Sequence, residues 1–206
     1  MPHEPWLRWA QELQALAQTG LAYTKSPFDQ ERYEAIQRIA AEIIAAHTAT
    51  EIDAIHRALV LNHGPATPKI DVRGAVVQDD RILLVKERSD GRWTLPGGWA
   101  DVNESPAEAV VREVREESGY DVRAVKLLAL YDRNKHDHPP LLWHAYKVFF
   151  ACEIIGGAPT SSIETDGAEF FAIDALPELS TGRANAVQIR RFVEHAAHPE
   201  WPTDFD

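Results

Sequence analysis

The 206-residue chain has little of what marks secreted, membrane-spanning or nucleic-acid-binding proteins. Cys152 is its only cysteine, so an internal disulfide framework is excluded and a reducing cytoplasm is expected. No apolar run approaches the roughly 18 residues of a membrane span, and we expect no signal peptide. Lys and Arg number 21 against 32 Asp and Glu, and the resulting net charge of −11 argues against a broad nucleic-acid-binding surface.

Glutamate, in contrast, is concentrated in one short motif. Residues 97–120 have the sequence GGWADVNESPAEAVVREVREESGY. Their spacing fits the pattern G-x5-E-x7-R-E-U-x-E-E-x-G-U, where U is a bulky apolar residue, at Gly98, Glu104, Arg112, Glu113, Glu116, Glu117 and Gly119. A chance match of seven fixed positions at a given window is about one in 10^8. The motif is therefore the most informative part of the chain.

The last third of the motif predicts a metal site. Glu113, Glu116 and Glu117 stand at i, i+3 and i+4, so a helix over 105–118 puts their carboxylates on one face. At ~4 Å and an effective dielectric of ~20, each like-charge pair costs roughly 4 kcal/mol, which favours protonation or a bound cation. Oxygen ligands without a nearby cysteine suit Mg²⁺ or Mn²⁺ rather than zinc. The alternative is a solvated helix face with arginine partners, but the flanking strand, Pro-Gly-Gly turn and N-cap favour the metal site.

These residues resemble the signature of the Nudix hydrolases, which cleave nucleoside diphosphates linked to another moiety, X. The resemblance implies an α/β fold, the Nudix α/β/α sandwich with a mixed sheet. It also implies that Glu116 and Glu117 are the principal Mg²⁺ ligands, together with the backbone carbonyl of Gly97. Glu113 would be a further ligand or would activate water, and Arg112 would hold the loop and the helix in register.

The resemblance also implies a further carboxylate on a loop opposite the helix. Glu169, within the segment EFFAIDALPEL, resembles the family's placement of an extra ligand or base. Glu164 lies in what is expected to be a more mobile loop, which would suit a base that moves in when substrate binds.

Apolar residues with helical spacing dominate the first third of the chain. They predict three helices, over residues 4–19, 29–46 and 51–62. Thr48 with Glu51 fits a capping box for the third helix. The following sequence HGPATP predicts a stiff linker, because proline lacks the donor and the φ freedom to continue a helix. We therefore expect an N-terminal helical domain over 1–64, for dimerisation or substrate access, and a Nudix hydrolase domain over 65–206.

After the linker, strand patterns predominate. Residues 72–78 and 82–86 predict a hairpin about Asp79-Asp80. The remaining predicted elements are strands over 122–131, 143–155 and 169–173, a short helix over 174–179, and a closing helix over 183–197 with its apolar face at Ala186, Ile189, Val193 and Ala197.

Candidate substrate contacts lie mainly downstream of the motif. Arg133, Lys135, His136 and His138 stand beside two prolines, which would suit phosphate contacts from a rigid loop, although a solvated basic turn has the same composition. Arg73, on the first strand, would face a substrate phosphate or cover the sheet edge. A metal site at the two histidines is disfavoured because imidazole suits Mg²⁺ poorly.

The helical extension, the motif and the downstream segment YDRNKHDHPPLLWHAYKVFFACEIIGG together resemble a bacterial Nudix subgroup whose substrates include CDP-choline and ADP-ribose. We therefore expect a cytoplasmic homodimer, without a membrane or nucleic-acid partner, that binds a small-molecule nucleotide. With Mg²⁺ or Mn²⁺ it would hydrolyse the phosphoanhydride bond to a nucleoside monophosphate and phosphorylated X. The alternatives are a pyrophosphohydrolase acting on RNA ends or nucleoside triphosphates, and a non-catalytic Nudix-like ligand sensor. The acidic composition opposes RNA binding, and the intact glutamate set opposes the sensor.

Overall fold

The computed structural model describes residues 5–206, which form two compact units. The first comprises the described residues up to Pro68 together with Pro140–His144, and the second comprises Lys69–Pro139 and Ala145–Asp206. Glu4, the first residue of the predicted N-terminal helix, lies outside the described residues. Within the described part, no helix is both long enough and apolar enough to cross a membrane.

The first unit contains the three predicted helices: α1 Pro5–Tyr23, α2 Pro27–His47 and α3 Ile52–Val60. Buried alanines, among them Ala10 and Ala41, let α1 and α2 approach closely around a core completed by Ile55 and Leu59. The predicted capping box of α3 is wrong. Glu51 is itself the N-cap and makes no side-chain capping bond, while the Thr48 hydroxyl donates to the carbonyl of Ile44 at the end of α2.

The second unit contains two sheets and two helices. Its helices are α4 Pro106–Ser118 and α5 Ala186–Ala197, with a short 3₁₀ helix at Arg133–Lys135. Its strands are β1 Lys69–Ala75, β2 Val77–Gln78, β3 Arg81–Glu87, β4 Trp93–Thr94, β5 Tyr120–Asp132, β6 Ala145–Gly157, β7 Thr165–Ala172 and β8 Asp204–Phe205. One sheet has the order β1-β6-β5-β8, with β1 parallel to β6, β6 antiparallel to β5, and β5 parallel to β8. In the other, β3 pairs antiparallel with β2, β4 and β7. The predicted mixed sheet with helices is confirmed.

The predicted hairpin is confirmed, but the strand that leads into it is not continuous. Asp79 and Asp80 both have positive φ, as a two-residue hairpin turn with the twist of its strands requires. The strand is interrupted at Val76, however, so the predicted strand 72–78 divides into β1 and β2, which belong to different sheets. The division places β1 beside β6, against α4.

Local sequence signals define both ends of α4. The Ser105 side chain accepts from the backbone of Glu108, whose carboxylate accepts from the Ser105 backbone in return, and the two bonds form a capping box. Gly119 ends the helix in the left-handed conformation with φ +80°, where a Cβ would lie 2.4 Å from the carbonyl oxygen of Ala158. The apolar face of α4, including Val110 and Val114, is fully buried.

Both faces of β6 are buried, which explains its nearly continuous apolar sequence. Val148 joins the core beneath α4, and Phe149 joins the core that includes Ile189 and Phe192 of α5. The predicted face of α5 is only partly right, since its buried residues are Gln188, Ile189, Phe192 and His195. The short helix predicted over 174–179 is a turn.

Candidate active site

The Pro96–Gly98 loop is fixed against β1 by backbone bonds. The Val72 N–H donates to the Gly98 carbonyl at 2.8 Å, and the Gly74 N–H donates to the Pro96 carbonyl at 2.9 Å. Gly97, between these two bonds, has φ +141°, and a Cβ there would lie 2.1 Å from the Val72 carbonyl oxygen. The close approach to β1 therefore requires glycine at this position.

Glu117 connects this loop to α4. Its Oε2 accepts a 2.8 Å hydrogen bond from the Gly97 N–H, and the residue is only 4% exposed. Burial raises the pKa of Glu117 to about 8, against the opposing effects of Arg73 and the Gly97 N–H, and the charges of Glu87 and Glu113 raise it further. A metal-free Glu117 is therefore largely protonated at neutral pH.

Arg112 holds three other carboxylates of the motif. Its Nε lies 2.9 Å from Glu104 Oε1, and its Nη1 lies 2.9 Å from Glu113 Oε1 and 3.0 Å from Glu116 Oε2. Burial raises the pKa of Glu113, and the bond and charge of Arg112 oppose that rise. Arg112 thus ties the loop residue Glu104 to the helix and neutralises part of the glutamate charge.

The carboxylates of Glu113, Glu116 and Glu117 suit a hard divalent cation, but they do not converge on one point. Across residues 5–206, no three His, Cys, Asp or Glu side chains are grouped so as to hold a metal. The bonds of Arg112 account for this, because they turn Glu113 and Glu116 towards the guanidinium while Glu117 turns towards Gly97. The chemistry of the set still fits Mg²⁺ or Mn²⁺, since its members are carboxylate oxygens and one is a buried carboxyl with a raised pKa. A cation here would compete with Arg112.

Glu87 is a carboxylate outside α4 whose charge acts on Glu117, and Glu169 stays the predicted further ligand or base. Glu87, the last residue of β3, is buried, and its Oε1 lies 2.9 Å from Nε of Arg183. Burial raises the pKa of Glu87, partly opposed by Arg183. Glu169 lies on β7 opposite Leu84 and is exposed. The signal that could have revealed Glu87 is a charged residue closing the apolar strand sequence RILLVKE.

The predicted substrate-contact residues lie in different environments. Arg73 is buried on β1, the edge strand of its sheet, and bonds both oxygens of Asp71 and the carbonyl of Leu95. Lys135 is exposed. Nε2 of His136 lies 3.0 Å from a carboxylate oxygen of Asp206.

Arg133 and His138 are buried, which a solvated basic turn would not require. Nδ1 of His138 lies 2.7 Å from the Thr181 carbonyl oxygen, which only accepts, so Nδ1 carries the proton. Nε2 then accepts from the side-chain amide of Gln188 at 3.1 Å. Burial lowers the pKa of His138 to about 4. His138 is therefore a neutral, hydrogen-bonded side chain and not a cation for phosphate.

Comparisons with known proteins identify the family to which this chain belongs. Residues 68–192 match the NUDIX domain, and residues 4–59 match the UDP-X-like N-terminal oligomerisation domain, Nudix_N. The first match alone covers more than half of the chain. The chain therefore belongs to the Nudix hydrolase family.

Individual relatives extend the match over nearly the whole length. The protein YjhB of Bacillus subtilis (strain 168), named provisionally as an ADP-ribose pyrophosphatase, is 44% identical over 201 residues, which are 98% of this chain and 97% of YjhB. A crystal structure of a UDP-X diphosphatase is 31% identical, with a TM-score of 0.64 and 100% of both chains covered. A crystal structure of an ADP-ribose pyrophosphatase from Streptococcus suis 89-1591 is 43% identical, with a TM-score of 0.63, and covers 68% of this chain and 100% of its own.

The raised pKa of Glu117 predicts how the stability of the metal-free protein depends on pH. The Glu117 carboxyl ionises near pH 4.5 in the unfolded chain and near pH 8 in the folded chain. The stability that it contributes is therefore fully present below pH 4.5 and is lost as the pH rises to about 8. The free energy of unfolding should fall over this window by roughly 3 to 5 kcal/mol from Glu117 alone. In Glu117→Gln, which cannot ionise, most of that fall should disappear.

Urea unfolding with a chelator, at several pH values, measures this dependence. In Glu117→Gln, the free energy of unfolding should still decrease with pH by a smaller amount, because burial raises the pKa values of Glu87 and Glu113 too. Glu194→Gln, on the exposed side of α5, should keep the wild-type slope. Equal slopes in wild type and Glu117→Gln would contradict the assignment.

Proposed function

We propose that the chain hydrolyses the phosphoanhydride bond of a nucleoside diphosphate linked to X, of the ADP-ribose or CDP-choline type. The products are a nucleoside monophosphate and phosphorylated X. The observation that carries the proposal is the buried Glu117 carboxyl, bonded to Gly97 at the end of a helix face that also bears Glu113 and Glu116. The similarity to YjhB over 98% of this chain supports the substrate class.

The glutamates and Gly97 have the donor types that a catalytic cation needs. Glu113, Glu116, Glu117 and the carbonyl of Gly97 would hold Mg²⁺ or Mn²⁺, which when bound supplies positive charge to balance the diphosphate. The β1 contacts use the carbonyls of Pro96 and Gly98, and these bonds fix the Gly97 backbone for that role. Arg112 positions the glutamates through its bonds to them.

A water molecule attacking phosphorus must lose a proton to a nearby base. Glu113 suits this role because burial raises its pKa, which makes its carboxylate a stronger base than an exposed one. Glu169 remains the proposed alternative, on the family resemblance of its segment. Hydrolysis by water requires no covalent bond between enzyme and substrate.

We also propose a homodimer in a reducing cytoplasm. The match to an oligomerisation domain over 4–59 supports self-association. So do large apolar side chains exposed on the first unit, namely Trp9, Leu16, Tyr23, Phe28, Ile39, Ile52, Val60 and Leu61. The single cysteine, Cys152, is a free and buried thiol, consistent with a compartment where disulfides are rare.

Steady-state kinetics on a substrate panel tests the proposed activity. We expect kcat/KM for ADP-ribose, CDP-choline or a UDP-sugar to exceed that for CTP and 8-oxo-dGTP by tenfold or more, about 1.4 kcal/mol, at fixed free Mg²⁺. The reason is that a triphosphate brings more negative charge to a chain of net charge −11. Mass spectrometry of the products identifies the bond that is cleaved.

Two variants accompany the panel. Glu117→Gln should retain less than about a tenth of wild-type turnover at saturating Mg²⁺, whereas Glu194→Gln should retain all of it. If kcat/KM for a triphosphate exceeded that for the substituted diphosphates by tenfold, a nucleotide-sanitising activity would replace the proposal. Full turnover in Glu117→Gln would refute its assignment as a ligand.

Light scattering tests the proposed dimer. The full chain, of 23.1 kDa, should have twice its monomer mass in solution, and removal of residues 1–64 should give a single-chain mass. The helices bury little apolar surface by themselves, so their exposed side chains are expected to form the contact. A mass and kinetics both unchanged by the truncation would contradict this role.

A further inference from the structure

Three cationic side chains of the second unit are buried, and the charges of two of them, Arg73 and Arg133, act on the third, Lys147. Arg73 and Arg133 are each 4% exposed, and Lys147 is fully buried. Lys147 lies on β6 directly opposite Asp71 of β1, and Asp71 shares a face of β1 with Arg73, two residues further on. Lys147 and Asp71 are both charged residues inside apolar strands.

Asp71 is the carboxylate that these cations share. It accepts from Nε of Arg73 at 2.9 Å and from Nη2 at 3.3 Å, so both of its oxygens bond the guanidinium. Nζ of Lys147 lies 3.0 Å from Oδ2 of Asp71, but without the geometry of a hydrogen bond. Within residues 5–206, Nζ has no hydrogen-bond acceptor besides this contact with Asp71. One negative charge therefore faces two positive ones.

Arg133 adds a third positive charge with open donors. Its Nη2 makes one long bond, 3.4 Å, to the carbonyl of Gly182, while its Nη1 is buried and bonds no other described residue. Burial lowers the pKa of Arg133, opposed only by the charge of Asp71. Arginine nevertheless stays protonated in proteins. The guanidinium is thus a buried cation without a carboxylate of its own.

Nearby acidic groups are already engaged. Glu87 pairs with Arg183, and Glu117 bonds Gly97 and has a raised pKa. His138 is neutral and uses both ring nitrogens. Burial lowers the pKa of Lys147 to about 8, opposed by Asp71, so the ammonium is still mostly charged at neutral pH. The described residues leave this region with excess positive charge.

Buried polar groups in native proteins are nearly always satisfied, and a buried charge is costly unless it is paired. Water would provide acceptors for Arg133 and Lys147 but no balancing charge. A phosphoryl group provides both, because its several anionic oxygens can accept from a guanidinium and an ammonium together. The chemistry of the cluster therefore selects an oxyanion.

We propose that Arg133 and Lys147 form a subsite for a phosphoryl group of the substrate, with Asp71 and Arg73 as its support. The identity of the ligand rests on the proposed function. Arg73 connects this subsite to the glutamate helix, because it bonds Asp71 and its charge also acts on Glu117. Entry of the ligand requires movement of the 3₁₀ helix that carries Arg133 or of the turn at Gly182, both of which lie outside the sheets.

Binding of inorganic phosphate to the full chain, without divalent metal and with a chelator present, tests the subsite. A ligand that binds only the folded state stabilises it by RT ln(1 + [L]/Kd), so the rise in unfolding temperature at a fixed ligand concentration reports the Kd. Phosphate should stabilise the wild type at constant ionic strength. Lys147→Met and Arg133→Met should each weaken phosphate binding at least tenfold, whereas Arg123→Gln, on the exposed pair with Glu153, should bind as the wild type does. General salting-out acts on all four proteins alike and is removed by the comparison.

Lys147→Met is expected to fold, because Asp71 keeps both bonds to Arg73. Arg133→Met, whose side chain has no ion pair in the described residues, provides an independent second variant. Wild-type phosphate affinity in either folded variant, or no phosphate response in the wild type, would overturn the subsite. If the wild type hydrolyses the panel substrates but is not stabilised by phosphate, the subsite is refuted and the proposed function is not. If phosphate stabilises the wild type as expected but no panel substrate is hydrolysed, the proposed function is refuted and the subsite is not.

Discussion

The hydrogen bond from the Gly97 N–H to the buried carboxyl of Glu117 is the contact on which the arrangement of the site depends. It joins the glycine loop to α4, and the loop is itself bonded to β1 on either side of Gly97. A carboxyl at this position is removed from water, which raises its pKa to about 8 and favours its protonated form. The same burial would strengthen its attraction to a cation, because charges interact more strongly in a low dielectric. One constraint thus accounts for the raised pKa of the metal-free carboxyl and for the metal affinity that we propose.

Arg112 moderates the remaining repulsion. By bonding Glu104, Glu113 and Glu116 together, it allows three carboxylates to lie close without a cation. The same bonds keep Glu113 and Glu116 from converging with Glu117. A divalent cation would therefore take over part of the role of Arg112, and the arginine would then hold mainly Glu104. Arg112 organises the glutamates through its bonds to them, and in the proposed metal complex it would release Glu113 and Glu116 to the cation.

Several features with local causes were predictable from sequence, although the capping box predicted for α3 was wrong, and features that depend on distant pairings were not predictable. Helix α4 begins at a capping box and ends at Gly119, and both signals lie within a few residues of the helix ends they define. The hairpin turn at Asp79-Asp80 is equally local. In contrast, the division of strand 72–78 follows from the pairing of β1 with β6, far along the chain.

The same limit applies to the candidate site. Glu113, Glu116 and Glu117 share a helix, so their proximity follows from spacing alone. The charge of Glu87 acts on Glu117 only because β3 pairs with β7, which contacts α4, and Lys147 meets Asp71 only through sheet register. Sequence composition made His138 a candidate cation, but a carbonyl and an amide from distant segments hold it neutral.

Proton release on metal binding tests the central claim most directly. Calorimetric titration with Mn²⁺, in two buffers of different ionisation enthalpy, counts the protons displaced per ion bound. Near pH 7, where Glu117 with a pKa of about 8 is mostly protonated, we predict the release of close to one proton, decreasing towards none above about pH 9. Binding of Mn²⁺ without proton release near pH 7 would contradict the claim that a protonated, buried Glu117 becomes a metal ligand.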